Sequence, residues 1–331
     1  MDSCLVRVDL SGNLTAQMFT STSGQAHETL VSTVVGEVLE REPDSIRVVH
    51  SDSLNALPSN SPVGSRMAIM LGGASARAAR KIRDKLMRLA AHQWQLPVEQ
   101  LIFQGGDVLV AGDPSRRLGW DALVEIAHRK FHLLPEGMEP GLQEKFVLEV
   151  PTGGLLPTPD GRVQMYPCHS FETHLLLLSI DPQTFKVHVH KYLCGHDCGV
   201  MISPDVVHGM TYGGIAHGLG AALMEKFSYS PDGQLLSGSL MDYLMPSASE
   251  VPTIRIVDHC TPSPLTERMT LFWHNHFVSS QRKVRFTRLM YAQNVLLRRH
   301  AAGNFGALLH EVGKDPAMVI YLDSAQNRKG K

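Results

Sequence analysis

Apolar and polar residues alternate over residues 5–10 and again over 14–19, on either side of Ser11-Gly12-Asn13. Period-two alternation around such a turn predicts two paired strands. Between His27 and Leu39 the spacing becomes helical, with Leu30, Val31, Val34, Val35 and Val38 on one side, and residues 46–49 make another short strand. A loop rich in Ser, Asn and Pro covers residues 51–65, after which Gly72-Gly73 opens a long basic helix to about Gln95, its apolar side being Ala79, Ile82, Leu86, Leu89 and Ala90. Residues 101–110 fold over Gly105-Gly106-Asp107 as a hairpin, residues 120–128 form a short helix, and 134–141 read as a linker.

Residues 173–180 and 185–193 flank Asp181-Pro182-Gln183-Thr184 as a second hairpin, with a nearly continuous apolar run that predicts a buried strand. Ser203-Pro204 supplies an N-cap and a first-turn proline for a helix to about Lys226, and strands recur at 227–229 and 254–257. This order is α+β, without an alternating βαβ array or internal repeat. After Pro264 only helices are predicted, at 266–276, 287–302 and 303–312.

Charge sharpens that change of texture. Residues 266–331 hold 11 Lys/Arg against 4 Asp/Glu, leaving 20 against 28 upstream, so a net charge of -1 conceals parts of +7 and -8. Nothing between Leu265 and Thr266 reads as a flexible linker. The domains expected are therefore 1–265, with a sub-boundary near 134–165, and an all-helical appendage at 266–331. With 43% hydrophobic residues in 331, the chain can bury one large core or two ordinary ones. Five scattered cysteines (Cys4, Cys168, Cys194, Cys198, Cys260), no leader-like start and no apolar run of roughly 20 residues point to a reducing, cytoplasmic setting.

Three stretches can carry chemistry. Gly24-Gln25-Ala26-His27-Glu28-Thr29 joins a strand to a helix, where a glycine-led turn lets backbone and an amide side chain approach a ligand. Gly64-Ser65-Arg66 and Gly72-Gly73-Ala74-Ser75 bracket a helix start suited to a phosphate, or to a plain tight turn. His196-Asp197-Cys198-Gly199 leads to Gly209, Gly213, Gly214, Gly218 and Gly220 in one helix. Each glycine costs a helix roughly 0.8 to 1 kcal/mol relative to Ala, so either close packing or ligand approach must require them.

In this order, and extended by Ser237-Gly238-Ser239-Leu240-Met241-Asp242-Tyr243 and Thr261-Pro262-Ser263-Pro264-Leu265, these residues resemble the second half of the molybdenum-binding subunit of the xanthine dehydrogenase, aldehyde oxidase and carbon monoxide dehydrogenase family. The resemblance covers residues 1–265 and implies a partial molybdopterin-binding domain. It implies cofactor contacts at Gly24, Gln25, Ala26, Gly64, Ser65, Arg66, Gly72, Gly73 and Ala74, with no protein side chain ligating molybdenum. Ala26 stands where the family has a second glycine. The resemblance further implies an oxidoreductase that hydroxylates aldehydes or N-heterocycles with oxygen from water. Its cofactor would be molybdopterin in the cytosine dinucleotide form, and its partners iron-sulfur and FAD subunits together with the upstream half of the subunit.

The family's general base is a glutamate in a glycine-rich segment soon after the Pro-x-Pro-Leu motif. Here Thr266-Glu267-Arg268-Met269 follow instead, so no catalytic residue is assigned and the chain alone is expected to lack turnover. Residues 266–331, including Phe272-Trp273-His274-Asn275-His276-Phe277 and Lys314-Asp315-Pro316, resemble domain of unknown function family 1800. A degenerate, non-enzymatic fusion of two truncated genes is thus an alternative. A zinc reading of His188, His190, Cys194, His196 and Cys198 yields to strand histidines and buried cysteines. The +7 tail reads as solvated helix faces rather than a nucleic-acid surface, and no membrane partner is expected.

Overall fold

The computed structural model describes residues 1–60, 62–149, 157, 159–162, 169–258, 270, 272–274, 276–277, 279–301 and 303–322. The chain forms two compact units, Met1–His169 with Ile202–Thr211, and Ser170–Met201 with Tyr212–Lys331. Residues 261–265, Glu267, Cys168, Cys260 and the expected join near 265 lie outside the described residues.

In the first unit, β1 (Asp2–Val8) pairs antiparallel with β2 (Leu14–Met18). The Asp9 carboxylate closes the turn by accepting from the backbone N–H of Ser11 and Asn13. From β2 the chain crosses through α1 (His27–Leu39) to β3 (Ile46–His50), which lies parallel to β2. This βαβ crossover sits within an otherwise antiparallel sheet. The sheet order is β3-β2-β1-β7, with β7 spanning Leu142–Leu148. Cys4, Val6, Val8, Leu14, Ala16 and Met18 share the pleat face covered by α1 and by α2 (Met67–Trp94), and all six are buried. Burial pushes the Cys4 thiol up to about 11.

A meander of β4 (Leu101–Gln104), β5 (Asp107–Val110) and β6 (Asp113–Leu118) adds Phe103 and Val108 to the same core, as does α3 (Trp120–Arg129) with Leu123 and Ala127. Gly105 and Gly106 both take positive φ, 62° and 88°, as a two-residue hairpin turn demands. Two strands escape the sequence reading. The charged run in β7 and Asp113-Pro114 at the head of β6 hide their alternation, and β7 occupies part of the expected sub-boundary.

The second unit carries a sheet in the order β10-β9-β8, with β8 at Phe171–Ile180, β9 at Val187–Asp197 and β10 at Ile254–Asp258. The buried strand expected over 173–180 is corrected: every residue of β8 is exposed, because no described residue covers either face. Helix α4 (Pro204–Leu223) forms as expected, three residues shorter than the sequence reading. Of its five glycines only Gly220 is tightly packed, an added Cβ falling 2.4 Å from Glu225 Oε1 and 2.8 Å from Pro246 Cδ. Gly209, Gly213, Gly214 and Gly218 face open space.

The helical appendage comprises α5 (Gln281–Val284), α6 (Thr287–Arg299), α7 (Phe305–Lys314) and α8 (Pro316–Tyr321). Leu297, Leu308, Val312 and Met318 form a small core of their own, against which Trp273 and Phe277 pack. Asn304 caps α7 through Ala307 N–H, and Asp315 caps α8 through Met318 N–H while accepting from the buried Gln293 amide at 2.8 Å.

Candidate cofactor-binding site

Two of the three stretches lie in the first unit. Gly24, Gln25 and Ala26 lie in the turn between β2 and α1, and Gly64, Ser65 and Arg66 immediately precede α2. Both turns sit at one end of the sheet. His27 Nδ1 reaches Ser21 O at 3.2 Å, and Glu28 Oε1 pairs with His50 Nε2 at 2.7 Å at the close of β3. The 51–66 loop is tied there too, Asn60 N–H donating to Met1 O at 3.1 Å and the Thr20 hydroxyl to Asn60 O at 3.2 Å.

Helix packing brings α1 and α2 into contact within two turns of each start. A Cβ on Gly72 would meet Leu30 Cδ1 at 3.4 Å, so α1 and α2 touch four residues past Ala26 and six past Arg66. At 1.5 Å per residue, that contact lies about 6 Å along α1 and about 9 Å along α2 from their starts. Both helices enter through left-handed backbone, with φ of 101° at Gly24, 56° at Ala26, 79° at Gly64 and 49° at Ser65. Neither start is capped by its own N-cap side chain. A left-handed residue leading into a right-handed turn aims successive N–H groups into one concavity, a donor set for an anion.

The two starts differ in charge. Helix α1 has Glu28 in its first turn, held below the usual carboxylate range chiefly by its own backbone N–H and further by His50. Helix α2 has no acid in its first turn and follows directly on Arg66. Phosphate therefore suits α2 better than α1. The Gln25 carbonyl oxygen is turned back onto Ser23 N–H at 2.6 Å and the Thr22 hydroxyl at 3.3 Å, which leaves its amide N–H groups as the donors it can offer.

Gly72, Gly73 and Ala74 do not open the helix, contrary to the sequence reading; α2 begins at Met67, which puts them in its second turn and a little beyond. Gly72 packs toward Leu30, a Cβ on Gly73 would fall 2.5 Å from Leu148 Cδ2, and Ala74 is fully buried in the core. One neighbour of Arg66 carried no signal in the sequence. Asp2 is fully buried, its carboxylate accepting from the Ser59 hydroxyl at 2.6 Å. Burial pushes that carboxyl above its usual range, while Ser59 and the nearby Arg66 charge pull it back.

The zinc reading of His188, His190, Cys194, His196 and Cys198, set aside in the sequence, finds no such five-residue cluster among the described residues, and the alternative of buried cysteines is corrected at Cys198, which is exposed. His190 meets Ser179 at 2.7 Å. Among the described residues no helix is long and apolar enough to cross a membrane.

Comparison with known proteins finds relatives for both parts of the chain. Residues 256–331 match the family model described as Protein of unknown function (DUF1800). The chain is 31% identical over 263 residues to the carbon monoxide dehydrogenase large chain of Hydrogenophaga pseudoflava, covering 80% of this chain and 31% of that one. It is 29% identical to the nicotine 6-hydroxylase large subunit of Paenarthrobacter nicotinovorans, across 96% of this chain and 36% of that one. The crystal structure of quinoline 2-oxidoreductase from Pseudomonas putida 86 superposes with a TM-score of 0.68 at 30% identity, covering 80% of this chain and 32% of that one. The chain thus spans about a third of the length of the relatives it matches. Residues 1–252 match the model of the molybdopterin cofactor-binding domain, and the chain belongs to that family.

Proposed function

We propose that this chain binds molybdopterin at the paired starts of α1 and α2, as one part of a molybdenum hydroxylase. The observation that carries the reading is that two uncapped helix starts, each entered through left-handed backbone, lie at the same end of one sheet. The donors fit the group. Arg66 and the N–H groups at the start of α2 would hold the phosphate, and Gln25, with Gly24 and Ala26, would present its amide beside the pterin and metal. Gly64 and Ser65 shape the anion-facing turn. Gly72, Gly73 and Ala74 serve the same site from behind, since their small size seats α2 against α1 and β7.

When bound, the cofactor supplies hydroxylation with water as the source of oxygen. Aldehydes and N-heterocycles are the proposed substrate class, in keeping with relatives named for nicotine and quinoline. The cytosine dinucleotide form is proposed, as are a cytoplasmic location and partnership with iron-sulfur and FAD subunits and with the remaining two thirds of the subunit. Because Thr266-Glu267-Arg268-Met269 replace the base-bearing segment, this chain by itself is proposed to bind without turnover. The alternative of a non-enzymatic fusion product draws on the bare faces of β8. Producing the full chain in a host that makes the cofactor, then assaying bound pterin and hydroxylation with and without partner subunits, tests the proposal. Bound pterin without turnover is the expected result; a chain that never retains pterin, even beside its partners, refutes it.

A further inference from the structure

We propose that one face of the β10-β9-β8 sheet is a zinc-type metal site, in which Glu172, His174 and Cys194 are ligands and His196 is the fourth. Donor atoms of Glu172, His174 and Cys194 all lie within 4.8 Å of one another. Strand pairing places them together, since His174 is the direct partner of Cys194 and Glu172 of His196, while β10 sets Asp258 opposite His196. Residues two apart on a strand share a face, so all five project to the same side.

The surroundings of the two imidazoles set this cluster apart from a chance meeting of polar groups. His174 turns Nε2 toward Glu172 Oε2 at 3.3 Å, while its Nδ1 meets the Tyr192 hydroxyl at 3.1 Å. His196 turns Nε2 toward Glu172 Oε1 at 3.8 Å, with Asp258 Oδ1 3.6 Å from its Nδ1. Each ring therefore points one nitrogen inward and rests the other on an oxygen, which is how metal-binding histidines are oriented. A tetrahedral zinc holds N, O and S ligands at about 2.0 to 2.3 Å, and hence roughly 3.3 to 3.8 Å apart, so the donors of Glu172, His174 and Cys194 need to draw in by about 1 Å and that of His196 by more. Thiolate, imidazole and carboxylate together favour zinc over magnesium or calcium, which take oxygen ligands. Binding releases the Cys194 proton to solvent and involves no electron transfer. The site is independent of the pterin reading.

Cobalt(II) titration of the full, untagged, chelator-treated chain tests it. The expected result is one equivalent bound, with a thiolate-to-cobalt charge-transfer band that zinc abolishes. Cys194→Ser should remove the band, and Tyr192→Phe or Asp258→Asn should keep it while weakening binding by about 10- to 100-fold. Absence of the band in the unsubstituted chain, which needs no variant to fold, overturns the proposal. So does a band that survives in Cys194→Ser.

Discussion

At Ala26 the backbone sits at φ 56° and ψ 41°, a conformation glycine adopts freely and an L residue adopts at a cost of roughly 1 to 2 kcal/mol. The turn thus keeps the backbone shape a glycine would give, with a methyl added. Ala26→Gly should stabilise the first unit by about 1 kcal/mol, read as an upward shift of its thermal midpoint. An unchanged or lowered midpoint would show that the methyl makes contacts outweighing the strain. At this scale the sequence indicated two glycine-led turns, through Gly24, Gln25, Gly64 and Arg66, and each leads into a helix. It could not indicate that Asp2 would be buried against Ser59, because that contact depends on how a loop 57 positions away folds back.

Elements with clear periodicity were legible, among them β1, β2, α1, α2 and both hairpins. Those whose pattern is interrupted by charge or proline, β6 and β7, were not. Glycine roles within helices were also illegible, since a packing glycine and a ligand-facing glycine look alike until a neighbour is known. Gly36 shows how firmly a neighbour decides. An added Cβ there would fall 2.7 Å from the Arg41 carbonyl oxygen, in the turn that closes α1, where Arg41 N–H donates to Gly36 O at 3.0 Å. Backbone cannot swing aside as a side chain can, so Gly36→Ala should cost about 1 to 3 kcal/mol in urea unfolding. A neutral outcome would mean that α1 can end differently without disturbing the crossover to β3.

Across the whole molecule, the sequence disclosed a change of texture near residue 265 but misjudged what β8 would find around it. Phe171, Leu175, Leu177 and Ile180 are each more than half exposed, on an edge strand without proline or lysine to deter pairing. Four consecutive leucines put apolar side chains on both faces, the composition of a strand buried on both sides. An edge of this kind recruits other strands. The chain alone should self-associate and bind a hydrophobic dye, and Leu175→Lys with Leu177→Lys should shift it toward monomer in sedimentation with its helix content intact. A monodisperse, dye-silent parent chain would contradict this.

The central claim is that the turns before α1 and α2 hold one pterin ligand, and the pterin retained per chain tests it most directly, compared between the parent, Gln25→Ala and Arg66→Ala. A charge-assisted contact contributes about 1.5 to 3 kcal/mol, so Arg66→Ala should lower retained pterin about tenfold or more under limiting cofactor, with Gln25→Ala also reduced. Equal retention in all three folded proteins would contradict the account.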